Sequence, residues 1–180
     1  MIERFVEDYS EKGYQAAYHL CGNVEEAKEL VQEAFVKLIR TWERYDSRQP
    51  LENWFLTILR NIYFDGLKKY ERRCGVSLDA PVPGLDRTES FADCLKDETE
   101  LPLLERLERQ EEAQLVQRAL KALTPEHRAI LTMIDLQGLD YDKVAAVVDC
   151  PLGTVRSRLS RARAALKREL LAQDTGVIKP

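Results

Sequence analysis

The chain has 180 residues, enough for two small domains that each bury a modest core. With 44% hydrophobic and 32% charged residues, eight glycines and seven prolines, its composition suits a helix-rich globular protein and excludes a fibrous or largely disordered one. No apolar run approaches the roughly 20 residues that a membrane span needs. The start, Met1-Ile2-Glu3-Arg4, also lacks the basic-then-apolar layout of a secretory signal. A cytoplasmic protein with no membrane insertion is therefore expected. Cys21, Cys74, Cys94 and Cys150 form no C-x-x-C pair, and His19 and His127 lie far apart, so no metal or cofactor is expected. Isolated cysteines of this kind read as small hydrophobes in helical cores rather than as a redox switch. The net charge of -4 speaks against nucleic acid only until its distribution along the chain is counted.

In chain order, Phe5, Val6, Tyr9, Ala16, Ala17 and Leu20 predict a first helix over Ile2 to Cys21, with an irregularity expected near Gly13, ended by Gly22-Asn23. Asn23 is placed to cap a second helix. There Ala27, Leu30, Val31, Ala34, Phe35, Leu38, Ile39 and Trp42 recur at three- and four-residue steps. Asp46-Ser47-Arg48-Gln49-Pro50 breaks the pattern, and a third helix runs from Leu51 to about Lys69 with Trp54, Phe55, Ile58, Leu59, Ile62 and Leu67 inward. Residues 1–73 thus read as a helical bundle.

Periodicity fails from Cys74 to about Pro102, where Pro81, Pro83, Gly75 and Gly84 stand among acidic residues, so 74–102 reads as a flexible acidic linker. From Val76 to Glu112 there are eleven acidic residues and four basic ones, which accounts for much of the protein's negative charge. A second helical unit over 103–172 begins near Leu103 and carries Leu115, Val116, Ala119 and Leu123 inward. Thr124-Pro125-Glu126 is an N-cap with proline at the first helical position, and Gly138 ends that helix. Residues 173–180 form a tail. The expected class is all-α, with two small helical domains joined by the linker.

Asp140 is placed to cap a short helix, Tyr141 to Val148, with Val144, Ala145 and Val148 inward; Asp149-Cys150-Pro151 turns; and a longer helix starts near Gly153-Thr154. This is a helix-turn-helix layout. On the second helix Val155, Leu159, Ala162 and Leu166 share one stripe, while Arg156, Ser157, Ser160, Arg161 and Arg163 project from the other side. Pro151 to Ala172 holds six basic residues and one acidic residue, Glu169. An arginine fork matches the two acceptors of a guanine edge, and the first turns of such a helix enter the major groove. Thr154, Arg156, Ser157, Ser160 and Arg161 are the candidate DNA contacts, with Arg156 and Arg161 the base readers. The bland alternative is a solvated basic face.

The run Cys150-Pro151-Leu152-Gly153-Thr154-Val155-Arg156-Ser157-Arg158-Leu159-Ser160-Arg161-Ala162-Arg163, with Leu136-Gln137-Gly138-Leu139-Asp140-Tyr141 ahead of it, resembles the C-terminal DNA-binding signature of extracytoplasmic-function (ECF) sigma factors, within the sigma-70 superfamily. Glu29-Leu30-Val31-Gln32-Glu33-Ala34-Phe35-Val36-Lys37 resembles the polymerase-binding helix of that family, in the family's order and spacing. Glu29, Gln32, Glu33 and Lys37 would then contact the coiled coil of the largest polymerase subunit; taken alone they would pass for an ordinary charged helix face. Trp54-Phe-Leu-Thr-Ile-Leu-Arg-Asn61 resembles the helix beside melted promoter DNA, except that Thr57 stands where the family has arginine.

The same resemblance implies roles for further residues. Asn61 matches the position near the flipped base of the downstream promoter element, and the loop from Ser47 to Asn53, with Arg48, Gln49 and Asn53, matches the loop that cradles it. Arg60, Lys68, Lys69, Arg72 and Arg73 supply positive charge for backbone phosphates. Trp54 lies on the apolar stripe and reads as core rather than as a stacking platform. The linker would pass near the polymerase's RNA path, where acidity could mimic RNA, although a solvated tether explains its acidity equally well. The implied function is a sigma factor that recognises the -35 element with its helix-turn-helix and melts the -10 element. Its partners would be core RNA polymerase, promoter DNA and an anti-sigma factor.

A stand-alone helix-turn-helix regulator would share the C-terminal motif but would not need Glu29 to Lys37. An enzyme finds little support. Asp93, Asp97, Glu98 and Glu100 fall in the linker, away from rigid support, and no nucleophile–base pair or phosphate-cradling glycine loop is present.

Overall fold

The computed structural model describes residues 2–74 and 103–177, in which seven α-helices and no strand are found. Most of the linker and the last residues of the tail lie outside the described residues. The first helix, α1 (Ile2–Cys21), is continuous through Gly13. A Cβ there would sit 3.0 Å from the Phe55 ring, so packing against a fully buried aromatic accounts for the glycine. Phe55 stacks on Phe35 at 4.6 Å between centroids and meets the edges of Phe5 and Tyr9, forming the aromatic centre of the N-terminal unit.

The second helix, α2 (Val24–Arg40), starts as expected: Asn23 Oδ1 accepts from the backbone N–H groups of Glu25 and Glu26 at 2.9 and 3.1 Å. Ala27, Leu30, Val31, Ala34, Phe35 and Leu38 are buried against α1 and α3. Ile39, expected inward, is 52% exposed. Trp42 lies past the end of the helix, in a 3-10 turn (Trp42–Arg44), and packs with Tyr45 and Trp54 as a half-buried aromatic group. The third helix, α3 (Leu51–Cys74), continues past the expected end near Lys69.

In the C-terminal unit, α4 (Leu103–Lys121) is followed by α5 (Pro125–Leu131), whose cap, Thr124, accepts from the N–H of His127 at 3.4 Å. The chain then widens into a π-helix (Thr132–Leu136), and Gly138 at φ 68 ends the segment, as the sequence indicates. The fourth and fifth elements of this unit are α6 (Tyr141–Val148) and α7 (Leu152–Val177). Asp140 stands at the N-cap of α6 but makes no side-chain cap bond; its carboxylate lies 3.6 Å from Lys143 Nζ instead. Val144 and Val147 form the buried face of α6, with Ala145 and Val148 at its edge, so the inward stripe is shifted from the expected one. Asp149 adopts the left-handed conformation, φ 50 and ψ 55, which turns α6 sharply into α7.

The two helical groups do not stand apart. The C-terminal end of α1 packs on α4, α5 and the π-helix, and α3 packs on α6. Gly22, at φ 70, allows this close approach: a Cβ there would lie 2.1 Å from Lys121 Cε and 3.1 Å from Gln117 Nε2.

Candidate nucleic-acid and polymerase interfaces

The helix-turn-helix is built as its pattern indicates. Val155, Leu159 and Ala162 are at most 2% exposed and clamp α7 against α5 and α6, which leaves Arg156, Ser157, Ser160 and Arg161 facing outward. Thr154 is half-buried at the start of the same face. Ser157 Oγ donates to the Thr154 carbonyl at 3.0 Å, and Arg161 Nε donates to the Ser157 carbonyl at 3.3 Å, so both side chains lie along the helix. The Arg156 guanidinium sits 6.0 Å from the centroid of Tyr141. Arg163 is set apart from its neighbours. It forms a fork on Asp135 of the π-helix, Nε to Oδ2 at 2.9 Å, and this carboxylate holds its guanidinium even more firmly protonated than usual. Sequence alone grouped it with the other arginines of the basic face, because Asp135 lies 28 positions away.

On α2, Glu29, Gln32, Glu33 and Lys37 are all exposed. Between them stand two apolar side chains that the sequence pattern did not assign to this surface, Val36 at 46% and Ile39 at 52% exposure. Burial on the opposite side of α2 forces this arrangement. Beside this face a groove of about 700 Å³ separates α2 from α3, lined by Glu29, Glu33 and Lys37 on one wall and Leu67, Lys69 and Tyr70 on the other. Lys69 thus belongs to the α2 side of the molecule.

Lys68 lies elsewhere, with Arg60 and Asn61 in a cleft of about 250 Å³ that is closed on its far side by Pro125 and Glu126 of α5. Asn61 is exposed and its Oδ1 accepts from Arg60 Nη1 at 3.1 Å. The Arg60 guanidinium lies 4.8 Å from the Phe64 centroid; its Nε is buried with no hydrogen-bond partner among the described residues, and burial lowers its pKa. In the connection before α3, Arg48 and Gln49 are exposed, and Arg48 forks onto Asp46 at 2.7–3.0 Å, holding that carboxyl below its ordinary range. The expected loop is shorter than Ser47 to Asn53, because α3 begins at Leu51 and Asn53 lies buried in its first turn, 8% exposed, with Oδ1 unpaired. Thr57, where the family has arginine, donates to the Asn53 carbonyl at 2.8 Å and so caps nothing beyond its own helix.

A three-helix platform joined to a helix-turn-helix with a basic outer face defines the class, a helical transcription protein. Residues 5–73 match the model of Sigma-70 region 2 and residues 113–166 that of Sigma-70 region 4. The ECF RNA polymerase sigma-E factor of Escherichia coli is 34% identical over 143 residues, 79% of this chain and 72% of that one. The ECF RNA polymerase sigma factor SigE of Mycolicibacterium smegmatis is 32% identical over 176 residues, 96% of this chain; the chain spans 62% of that relative's length. The sigma factor RpoE from Bartonella quintana, solved in complex with the anti-sigma factor NepR, matches in fold with a TM-score of 0.65 at 24% identity, over 93% of this chain and 97% of that one. The chain belongs to the ECF sigma factors of the sigma-70 family, which are transcription initiation factors. Among the described residues no helix is long and apolar enough to cross a membrane.

Proposed function

We propose that this chain binds core RNA polymerase through α2 and directs it to promoters in the cytoplasm, reading the upstream element with α7 and opening the downstream element beside α3. The observation that carries this reading is the division of labour on two helices. The same burial that locks Val155 and Leu159 inward leaves Arg156, Ser157, Ser160 and Arg161 outward, and the burial of Leu30, Ala34 and Leu38 leaves Glu29, Gln32, Glu33 and Lys37 outward. Val36 and Ile39 add an apolar centre to the α2 face, the composition expected where a partner helix docks. Arg48, Gln49, Asn61, Lys68 and Lys69 supply the exposed polar groups around α3, and buried Asn53 adds an unpaired side-chain oxygen in its first turn. The domain boundaries follow as 1–73 for the polymerase and downstream-element unit and 103–172 for the upstream-element unit, around the 74–102 linker and before the 173–180 tail. An anti-sigma factor is the regulatory partner this reading calls for.

Run-off transcription with core polymerase on a genomic promoter library tests the proposal. Transcripts starting from a discrete promoter set, together with co-elution of the chain with core polymerase, support it. DNA binding as a symmetric dimer without polymerase would replace it with a stand-alone regulator.

A further inference from the structure

One arginine of the basic face of α7 carries a carboxylate of its own. Arg163 follows Arg156 by two turns of helix, so it lies about 10 Å further along nearly the same line of α7. Both side chains are exposed, and Tyr141 of α6 neighbours both, its ring 6.0 Å from the Arg156 guanidinium. The difference between them is Asp135. This exposed carboxylate, carried by the π-helix, accepts from Arg163 Nε at 2.9 Å and from its Nη2, a fork that occupies the planar donor edge an arginine offers to a phosphate. Arg161, by contrast, donates to a carbonyl of its own helix and forms no ion pair among the described residues, and Arg158 on the other flank reaches Glu126 only at 3.9 Å. An exposed ion pair adds little to stability, so the fold itself gives little reason for a carboxylate on this flank of α7.

We propose that Asp135 sets how strongly α7 holds DNA of any sequence: by occupying Arg163 it withholds one cation from the phosphate backbone. The inference rests on the reading of α7 as the upstream-element helix. Along α7, Arg156 and Arg163 are separated by less than the roughly 12 Å width of the major groove. A backbone strand bordering a groove entered at Arg156 therefore passes within about one screening length of the Asp135–Arg163 pair. The fork forms within one molecule, without loss of translational freedom, so a phosphate has to displace a carboxylate already in place. The pair presents no net charge to DNA, whereas Arg156 and Arg161 keep theirs. Asp135 is a positioning residue, since it acts through Arg163. Its effect is to limit sequence-independent affinity, which sequesters a DNA-binding protein wherever non-specific sites are in vast excess.

The test uses holoenzyme, the full chain with core polymerase, and a labelled duplex carrying a promoter recovered by run-off transcription. The same duplex with its upstream element scrambled reports sequence-independent binding, and core polymerase alone is the blank. Asp135→Asn is expected to bind both duplexes about eightfold more tightly at about 0.1 M salt, and to steepen the fall of log K with log salt by about 0.9, the signature of one added phosphate contact. Asp135→Asn/Arg163→Gln should return to the wild-type slope, because the released cation is gone, and Asp135→Glu, which keeps the carboxylate, should stay near it. A purely structural role for Asp135 would leave the slope where it is. Circular dichroism, with Asp135→Ser as a second uncharged variant, separates charge from misfolding. Unchanged or weaker binding by a folded uncharged variant overturns the inference, and loss of fold in both would overturn it by showing the pair to be structural. If Arg156→Ala/Arg161→Ala holoenzyme binds the promoter duplex as wild type does, the reading of α7 itself fails, and the inference with it.

Discussion

Arg156 and Arg161 project from a helix whose other side is locked in the core, so their loss should leave α7 held as before and test its proposed reading role alone. Arg156→Ala/Arg161→Ala is expected to weaken upstream-element binding by about 1–3 kcal/mol for each arginine–base pairing removed, with polymerase association unchanged. Gel-shift titration of the holoenzyme on promoter and scrambled DNA measures this, and equal selectivity in wild type and variant would reject the two arginines as readers. Cys21 presents a different kind of residue. Burial, reinforced by Glu26, pushes its thiol up to about 12. At pH 8 its thiolate fraction is then about one part in ten thousand. Site-resolved mass spectrometry should find slow alkylation of Cys21 by iodoacetamide in the native protein and rapid alkylation in denaturant. Rapid native modification would show that the thiol is far more acidic than its surroundings dictate.

At the scale of the element, two helix ends make quantitative statements. Asn23 accepts two N–H groups at the start of α2, so Asn23→Ala should cost about 1 kcal/mol of stability, read as a lower urea midpoint. Asp149 holds a left-handed conformation between α6 and α7, where a side chain carries a steric cost of about 1–2 kcal/mol that glycine avoids. Asp149→Gly should therefore raise the midpoint and leave promoter selectivity intact, while Asp149→Val should lower it. A midpoint that falls in Asp149→Gly would mean that the aspartate side chain itself stabilises the turn.

For the molecule as a whole, the packing of α1 on α4 carries a titratable group, His19. Burial lowers its pKa and the Gln117 hydrogen bond opposes that shift; the cavity beside it is lined by Arg109 and Glu112 of α4 as well as Gln117. Because the pKa is depressed in the folded protein, the stability it contributes is fully present above the ordinary histidine pKa of about 6.5 and is lost as pH falls below it. The urea midpoint should thus fall between about pH 6.5 and pH 5, and His19→Gln should flatten that response. A pH-independent midpoint in the wild type would show that the burial of His19 does not contribute to stability.

Local pattern determined most of the helices. The alternation in α2, the Thr124-Pro125 start of α5 and the stripe on α7 each depend on neighbours within four residues, and the outward face of α7 follows once its inward face is known. The same reasoning placed Ile39 inward, which fails because burial near a helix end is decided by where the partner helix stops covering the chain; it started the third helix at Leu51, as observed, whereas the loop taken from the family resemblance ran on to Asn53. Pairings distant in sequence left no local signal: Arg163 with Asp135, Arg128 with Leu20 and Tyr63, and Gln117 with Tyr18 and His19. The sequence by itself determined the helical class, the helix-turn-helix layout and the family resemblance, because these rest on short-range periodicity and contiguous motifs. Only the tertiary structure decided that Lys68 and Lys69 face different clefts and that the two units close on a buried arginine, because a hydrogen bond between groups about a hundred residues apart is specified by three-dimensional proximity alone.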